Sequence, residues 1–149
     1  MAERWYPGWG LAALRVMLGV IFLAHGADKL FGAGVGAFMR FLEAEAFPAA
    51  GVLAWLVAGL EFLGGLFLLV GWATRWWAAA LFFEMLVALF AVHAQYGFFV
   101  FRDRGEWGWG YEYHLALLGG LACLFLAGGG KLSVDDWRIR GTPRMAPVD

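Results

Sequence analysis

The chain has 149 residues, of which 62% are hydrophobic and 15% charged, and its formal net charge is −1. Soluble domains average about 45–50% apolar and about 25% charged residues, so this composition indicates a membrane protein and gives no basis for nucleic-acid binding. Its single cysteine, Cys123, excludes an internal disulfide and a CxxC pair for redox or zinc chemistry.

Four apolar segments approach the length of about 20 residues that a membrane-spanning helix needs. They lie at residues 9–27, 50–71, 75–96 and 112–129. Between the first two, Phe38 and Leu42 alternate with Arg40 and Glu43, a pattern typical of a short amphipathic helix at the membrane interface. The sequence therefore predicts an all-α fold. We expect one domain over residues 1–149, a membrane-embedded antiparallel four-helix bundle with a short interfacial helix between the first and second spans.

Four spans place both termini on the same side of the membrane. Outside the spans, that side carries more lysine and arginine residues than the opposite side. The positive-inside rule then predicts cytoplasmic termini. We expect a multi-pass protein of the cell (inner) membrane, with residues 131–149 as a cytoplasmic tail.

Ionisable side chains within the spans are the candidates for function, because each needs a partner, a water-filled cavity or a role. They are Arg15, His25, Glu61, Glu84, His93, Glu112 and His114. A helical rise of about 1.5 Å per residue sorts them into two layers. The lower layer predicts a structural polar pair between Arg15 and Glu84, or Glu61 in its place. The three histidines lie near the outer boundary, level with Lys29 and Glu112, which predicts a polar pocket in the outer half.

Helix geometry limits this pocket. His25 and Lys29, four residues apart, share a helix face, whereas Glu84 and His93, nine apart, point in opposite directions, about 180° apart on an ideal helix. Which of the latter two faces the interior stays open. Two simpler interpretations also stay open: Arg15 snorkels to the headgroups, and the histidines only bond neighbouring helices.

Five segments resemble, in order, the signatures of the DoxX family of small four-span membrane proteins. They are LRVMLGVIFLAHGADKLFG, AGLEFLGGLFLLVGWATR, EMLVALFAVH, YEYHLALLGG and GGGKLSVDDW, and the similarity covers about residues 10–137. The resemblance places the family's polar positions at Arg15, His25, Lys29, Glu61, His93, Glu112, Ser133 and Asp135. Glu84 and His114 have no mapped counterpart, so they depend on the depth argument alone.

The resemblance implies quinone or sulfur redox chemistry at the membrane. Some members are described as subunits of a thiosulfate:quinone oxidoreductase, and others accompany quinone or catechol detoxification or oxidative-stress complexes. We therefore expect an integral membrane component of a quinone-linked redox system, of the thiosulfate/sulfur or quinone-detoxification type. Whether the chain is itself the oxidoreductase stays open.

In this hypothesis the cofactor is a quinone. His25 and His93 would bond its carbonyls, and Glu61 or Glu112 would exchange protons. The candidate catalytic residues are His25, Glu61 and His93, and the candidate cofactor-binding residues are His25, Lys29, His93, Glu112 and His114. The sequence has no CxxCH haem motif and no GxGxxG motif for flavin or nicotinamide, so electrons are expected from a partner or a diffusible substrate.

Two other functions stay open. The chain could be a non-catalytic membrane anchor or partner subunit for a soluble oxidative-stress enzyme, with the basic tail as a docking surface for a redox or sulfur-transfer protein. Alternatively, the histidines and a carboxylate could bind zinc, copper or iron, although no HxxxH or ExxH pair supports assigned metal ligands. Expected partners are membrane lipid and a quinone, and a homo-oligomer is compatible with the sequence.

Overall fold

The structure is a computed structural model that describes residues 7–102, 106–107 and 110–141. In chain order its elements are α1 (Pro7–Phe31), α2 (Val35–Ala44), α3 (Ala50–Val70), α4 (Thr74–Ala88), β1 (Phe101–Arg102), β2 (Glu106–Trp107), α5 (Glu112–Ala127) and α6 (Val134–Gly141). Helix α4 continues through a π-helical turn, Leu89–His93, and a 3-10 turn, Ala94–Tyr96. The two strands pair antiparallel as a ladder of two residues each. Apart from this ladder, every regular element of the described residues is helical, and the predicted all-α class is confirmed.

Three helices are long and apolar enough to cross a membrane, namely Gly8–Phe31, Ala50–Val70 and Thr74–Tyr96. They correspond to the first three predicted spans. The fourth predicted span, α5, is apolar but has only 16 residues, about 24 Å at the helical rise of ~1.5 Å per residue. Large apolar side chains such as Met17 and Trp55 are exposed on these helices, as expected of surfaces that contact lipid. The protein is therefore located in a membrane.

Glycines bring α1 and α3 into backbone contact. A Cβ atom at Gly65 would lie 2.8 Å from the carbonyl oxygen of Gly19, and one at Gly26 would lie 2.6 Å from Cα of Phe62. Lipid offers no hydrophobic drive for helix association, so such close approach is a main source of packing energy. One apolar core, which includes Phe22, Leu68, Leu81 and Leu121, joins α1, α3, α4 and α5.

Arg15 holds one end of this assembly together, which we call the Arg15 end. Arg15 is 1% exposed, and its guanidinium donates to five backbone carbonyls: Leu68 and Leu69 at the end of α3, and Gly129, Lys131 and Leu132 before α6. The carbonyls of a last helical turn lack intrahelical partners, which is why a buried cation is stable there. The predicted pair between Arg15 and Glu84, or Glu61, is therefore wrong, and so is the snorkelling interpretation.

The segment after α5 also packs against the Arg15 end. The Lys131 N–H donates to the Gly8 carbonyl at 2.9 Å, and the Asp135 carboxylate accepts the N–H groups of Ala73 and Thr74, at 2.8 Å each, where α4 begins. Ser133 Oγ donates to the Gly130 carbonyl at 2.7 Å. Ser133 and Asp135, two positions mapped by resemblance, thus make structural contacts here. Of the predicted tail 131–149, residues 142–149 lie outside the described residues.

Candidate functional site

A cavity of about 650 Å³ lies between α3 and α4, away from the Arg15 end. Its walls come from all five helices α1 to α5, with α2 lying across it. Most of the lining side chains are apolar. The ionisable residues among them are Asp28, Lys29, Glu61, Glu84, His93 and His114. We call the last five of these the polar group.

Lys29 and Glu61 form the ion pair of this group. Lys29 Nζ lies 2.6 Å from Glu61 Oε2, with side-chain exposures of 18% and 5%. The pair forms because Gly26 allows α1 to touch α3 at Phe62, which puts Lys29, less than one turn further along α1, within reach of Glu61. Lys29 Nζ also lies 5.1 Å from the ring centroid of Phe38, which places α2 beside the ion pair.

Glu84 and His93 both line the cavity, so the prediction that they face opposite directions is wrong. The cause is the π-helical turn Leu89–His93. Its i→i+5 hydrogen bonds widen the turn and rotate every following side chain relative to an ideal α-helix. The predicted two layers also fail for Glu61 and Glu84, because both belong to the polar group and neither contacts Arg15.

His93 and His114 bring α4 and α5 together at the cavity. Their ring centroids are 4.0 Å apart with an interplanar angle of 36°, and His114 is 9% exposed. Two buried polar atoms, Glu84 Oε2 and His114 Nδ1, have no hydrogen-bond partner within the described part of the chain. An unsatisfied buried polar group costs about 1–3 kcal/mol. A bound molecule with polar atoms could offer these two atoms the hydrogen-bond partners that they lack here.

His25 and Glu112, two of the candidate residues, do not line the cavity. Gly26 faces α3, and this rotation of α1 leaves the adjacent His25 exposed. Lys29 is three residues from Gly26 and so lies closer to the α3-facing side of α1 than His25 does, and its long flexible stem reaches Glu61. Glu112 accepts the Val100 N–H at 3.0 Å and so fixes the loop before α5. The structure does not bring these two residues to the polar group.

The sequence interpretation missed the residues of α2 that cover the cavity. Phe38, Phe41 and Leu42 of α2 cover the cavity, together with Phe47. The amphipathic pattern of α2 predicted its apolar face. The pattern does not indicate that this face covers the cavity that contains Glu61. Within the described ranges, no group of three or more His, Cys, Asp or Glu side chains is placed to hold a metal ion.

The DoxX family model matches residues 10–94, more than half of the chain. This range includes α2, α3 and the π-helical turn, together with Lys29, Glu61, Glu84 and His93 of the polar group. His114, on α5, lies beyond it. No curated protein and no solved structure matches the chain.

Proposed function

The chain belongs to the DoxX family of small membrane proteins, and we propose that it is a membrane component of a quinone-linked redox system. The quinone head group binds in the cavity between α3 and α4. In this proposal α5 is the fourth span, and α1, α3, α4 and α5 form an antiparallel four-helix bundle in the inner membrane with cytoplasmic termini at the Arg15 end.

One observation carries the proposal: ionisable side chains from four helices converge in an otherwise apolar cavity. Small-molecule sites are mostly apolar pockets with a few convergent polar groups. A quinone ring is flat and apolar, and its two carbonyl oxygens accept hydrogen bonds. His93, His114 and Lys29 supply donors at the polar group, and the Phe38 and Phe41 rings supply an apolar wall.

Reduction of a quinone to a quinol adds two electrons and two protons. The electrons come from a reduced sulfur compound or a partner protein, and this chain's residues bind the ring and move protons. Glu61 is held by Lys29, whereas Glu84 has an unpartnered buried oxygen. We therefore assign proton exchange to Glu84, with His93 and His114 continuing the polar group toward the end of the third span.

The test is saturable binding of a menaquinone or ubiquinone analogue to protein in lipid nanodiscs. His93→Ala removes a cavity side chain, and His25→Ala is the matched control because His25 is exposed and outside the cavity. Loss of one hydrogen bond, about 1–1.5 kcal/mol, should weaken binding about tenfold in His93→Ala. Binding in His25→Ala should equal that of the wild type.

Equal affinities in the two variants would refute the assigned site. Absence of saturable binding for every quinone tested would refute the proposed function. The alternative would then be a non-catalytic anchor, with a soluble redox or sulfur-transfer enzyme bound near α6, where Trp137 is exposed.

A further inference from the structure

Helices α3 and α4 lie close together at the Arg15 end and are separated by the cavity further along. Near the short connection between them, Gly64 packs against Leu81, and a Cβ at Gly64 would lie 3.0 Å from Leu81 Cδ1. Beyond this contact, Val57 on α3 and Val87 on α4 line the two walls of the cavity. The two spans therefore form a cleft that is closed at one end.

One side of this cleft reaches the outer surface of the helices. Phe83 and Val87 line the cavity, yet they are 67% and 40% exposed. They share a face of α4 because they are four residues apart. Both lie within the helix Thr74–Tyr96, which is long enough to span the membrane. The surface they expose is therefore in contact with lipid. We call the opening between Val57 and these two residues the lateral mouth.

Two members of the polar group, Glu61 and Glu84, lie deep in the membrane behind this mouth. Glu61 is near the middle of α3, and Glu84 is about 15 Å from the start of α4 at a rise of ~1.5 Å per residue, roughly half of a hydrocarbon core of about 30 Å. From the other direction Phe38, Phe41 and Leu42 of α2 cover the cavity. The lateral mouth is thus the side of the cavity that faces the bilayer without α2 in between.

Resting on the proposed function, we propose that the substrate is a long-chain isoprenoid quinone that binds through the lateral mouth, with its tail lying between Val57 and Val87. The cavity volume of about 650 Å³ is within the range of about 300–1,000 Å³ for drug-sized ligands. It exceeds what a one-ring or two-ring head group needs. The first isoprenoid units fill the remaining apolar part, and the rest of the tail extends into lipid.

The test compares equilibrium binding of a long-chain quinone and of a tail-less quinone with the same head group, in nanodiscs. Val87→Trp fills the mouth, and Val57→Trp does so from the opposite wall. Val70→Trp is the matched control, because Val70 is similarly exposed but lies outside the cavity. Each variant's thermal unfolding is compared with that of the wild type, and the mouth variant that retains the wild-type transition is the one used.

We expect the mouth variant to bind the long-chain quinone at least tenfold more weakly while the tail-less quinone keeps its affinity within about twofold. Val70→Trp should change neither. If the affinity for the long-chain quinone is unchanged, or if both quinones lose affinity equally, binding through the lateral mouth is refuted. The proposed function would not be affected by either result. Failure of the wild-type protein to bind either quinone would instead refute the proposed function itself.

Discussion

Arg15→Lys keeps the positive charge and removes the planar guanidinium. In the wild-type protein all five N–H groups of the guanidinium have a carbonyl acceptor. Nε donates to Gly129 at 2.9 Å and Nη1 to Leu68 at 2.6 Å. These acceptors belong to segments on different sides of Arg15, so one ammonium nitrogen cannot reach all of them. The substitution therefore tests whether Arg15 joins these segments through geometry or through charge.

The expected loss follows from the bonds that lysine cannot replace. An ammonium group placed near Leu68 and Leu69 leaves Gly129 and Leu132, whose bonds measure 2.9 and 3.0 Å, without their donor. Hydrogen bonds to charged groups contribute about 1.5–3 kcal/mol each. With partial compensation by relaxation, the free energy of unfolding should fall by about 3 kcal/mol, which is about a hundredfold in the unfolding equilibrium.

Reversible unfolding in mixed micelles, followed by far-UV circular dichroism, measures this difference. Arg75→Lys is the matched control, because Arg75 lies at the Arg15 end but is exposed, and it should change stability by less than about 0.5 kcal/mol. A stability of Arg15→Lys equal to that of the control would show that charge alone suffices, and the role given to the five carbonyl bonds would be wrong.

Two further substitutions test the helix contacts. Gly65→Ala places a Cβ 2.7 Å from Leu23 Cα, so it should destabilise the protein by about 1–3 kcal/mol through overpacking. In the control variant Gly59→Ala the new Cβ meets no atom within 4 Å, and the protein should gain up to about 1 kcal/mol from helix propensity. Similar unfolding midpoints for the two variants would argue against backbone contact between α1 and α3. Lys29→Met leaves the buried Glu61 carboxylate unpaired at a cost of about 3–5 kcal/mol, and adding Glu61→Gln should recover at least half of the loss. A double variant no more stable than Lys29→Met would mean that the ion pair does not couple α1 to α3.

The first three spans could be predicted from the sequence, because the length and hydropathy of a segment are local properties and they decide whether a helix can cross the bilayer. The same holds for α2, whose apolar residues recur at helical spacing. The relative direction of the Glu84 and His93 side chains could not be predicted, because it depends on the π-helical turn Leu89–His93. No residue pattern in that segment indicates a π-helical turn. His25 was grouped with Lys29 because residues four apart share a helix face, but a shared face does not ensure shared contacts: Lys29 pairs with Glu61, whereas His25 is exposed.

The sequence by itself determined that this is a membrane protein of the DoxX family, which ionisable residues are placed within its spans, and that Arg15 and Glu61 need partners there. Only the tertiary structure decided those partners: backbone carbonyls for Arg15, and Lys29 for Glu61. The physical reason is that partner choice depends on the rotation and separation of whole helices. Glycine contacts such as Gly26 against Phe62 set that rotation and separation. The sequence shows the glycine, but only the packed structure shows which residue of the neighbouring helix it contacts.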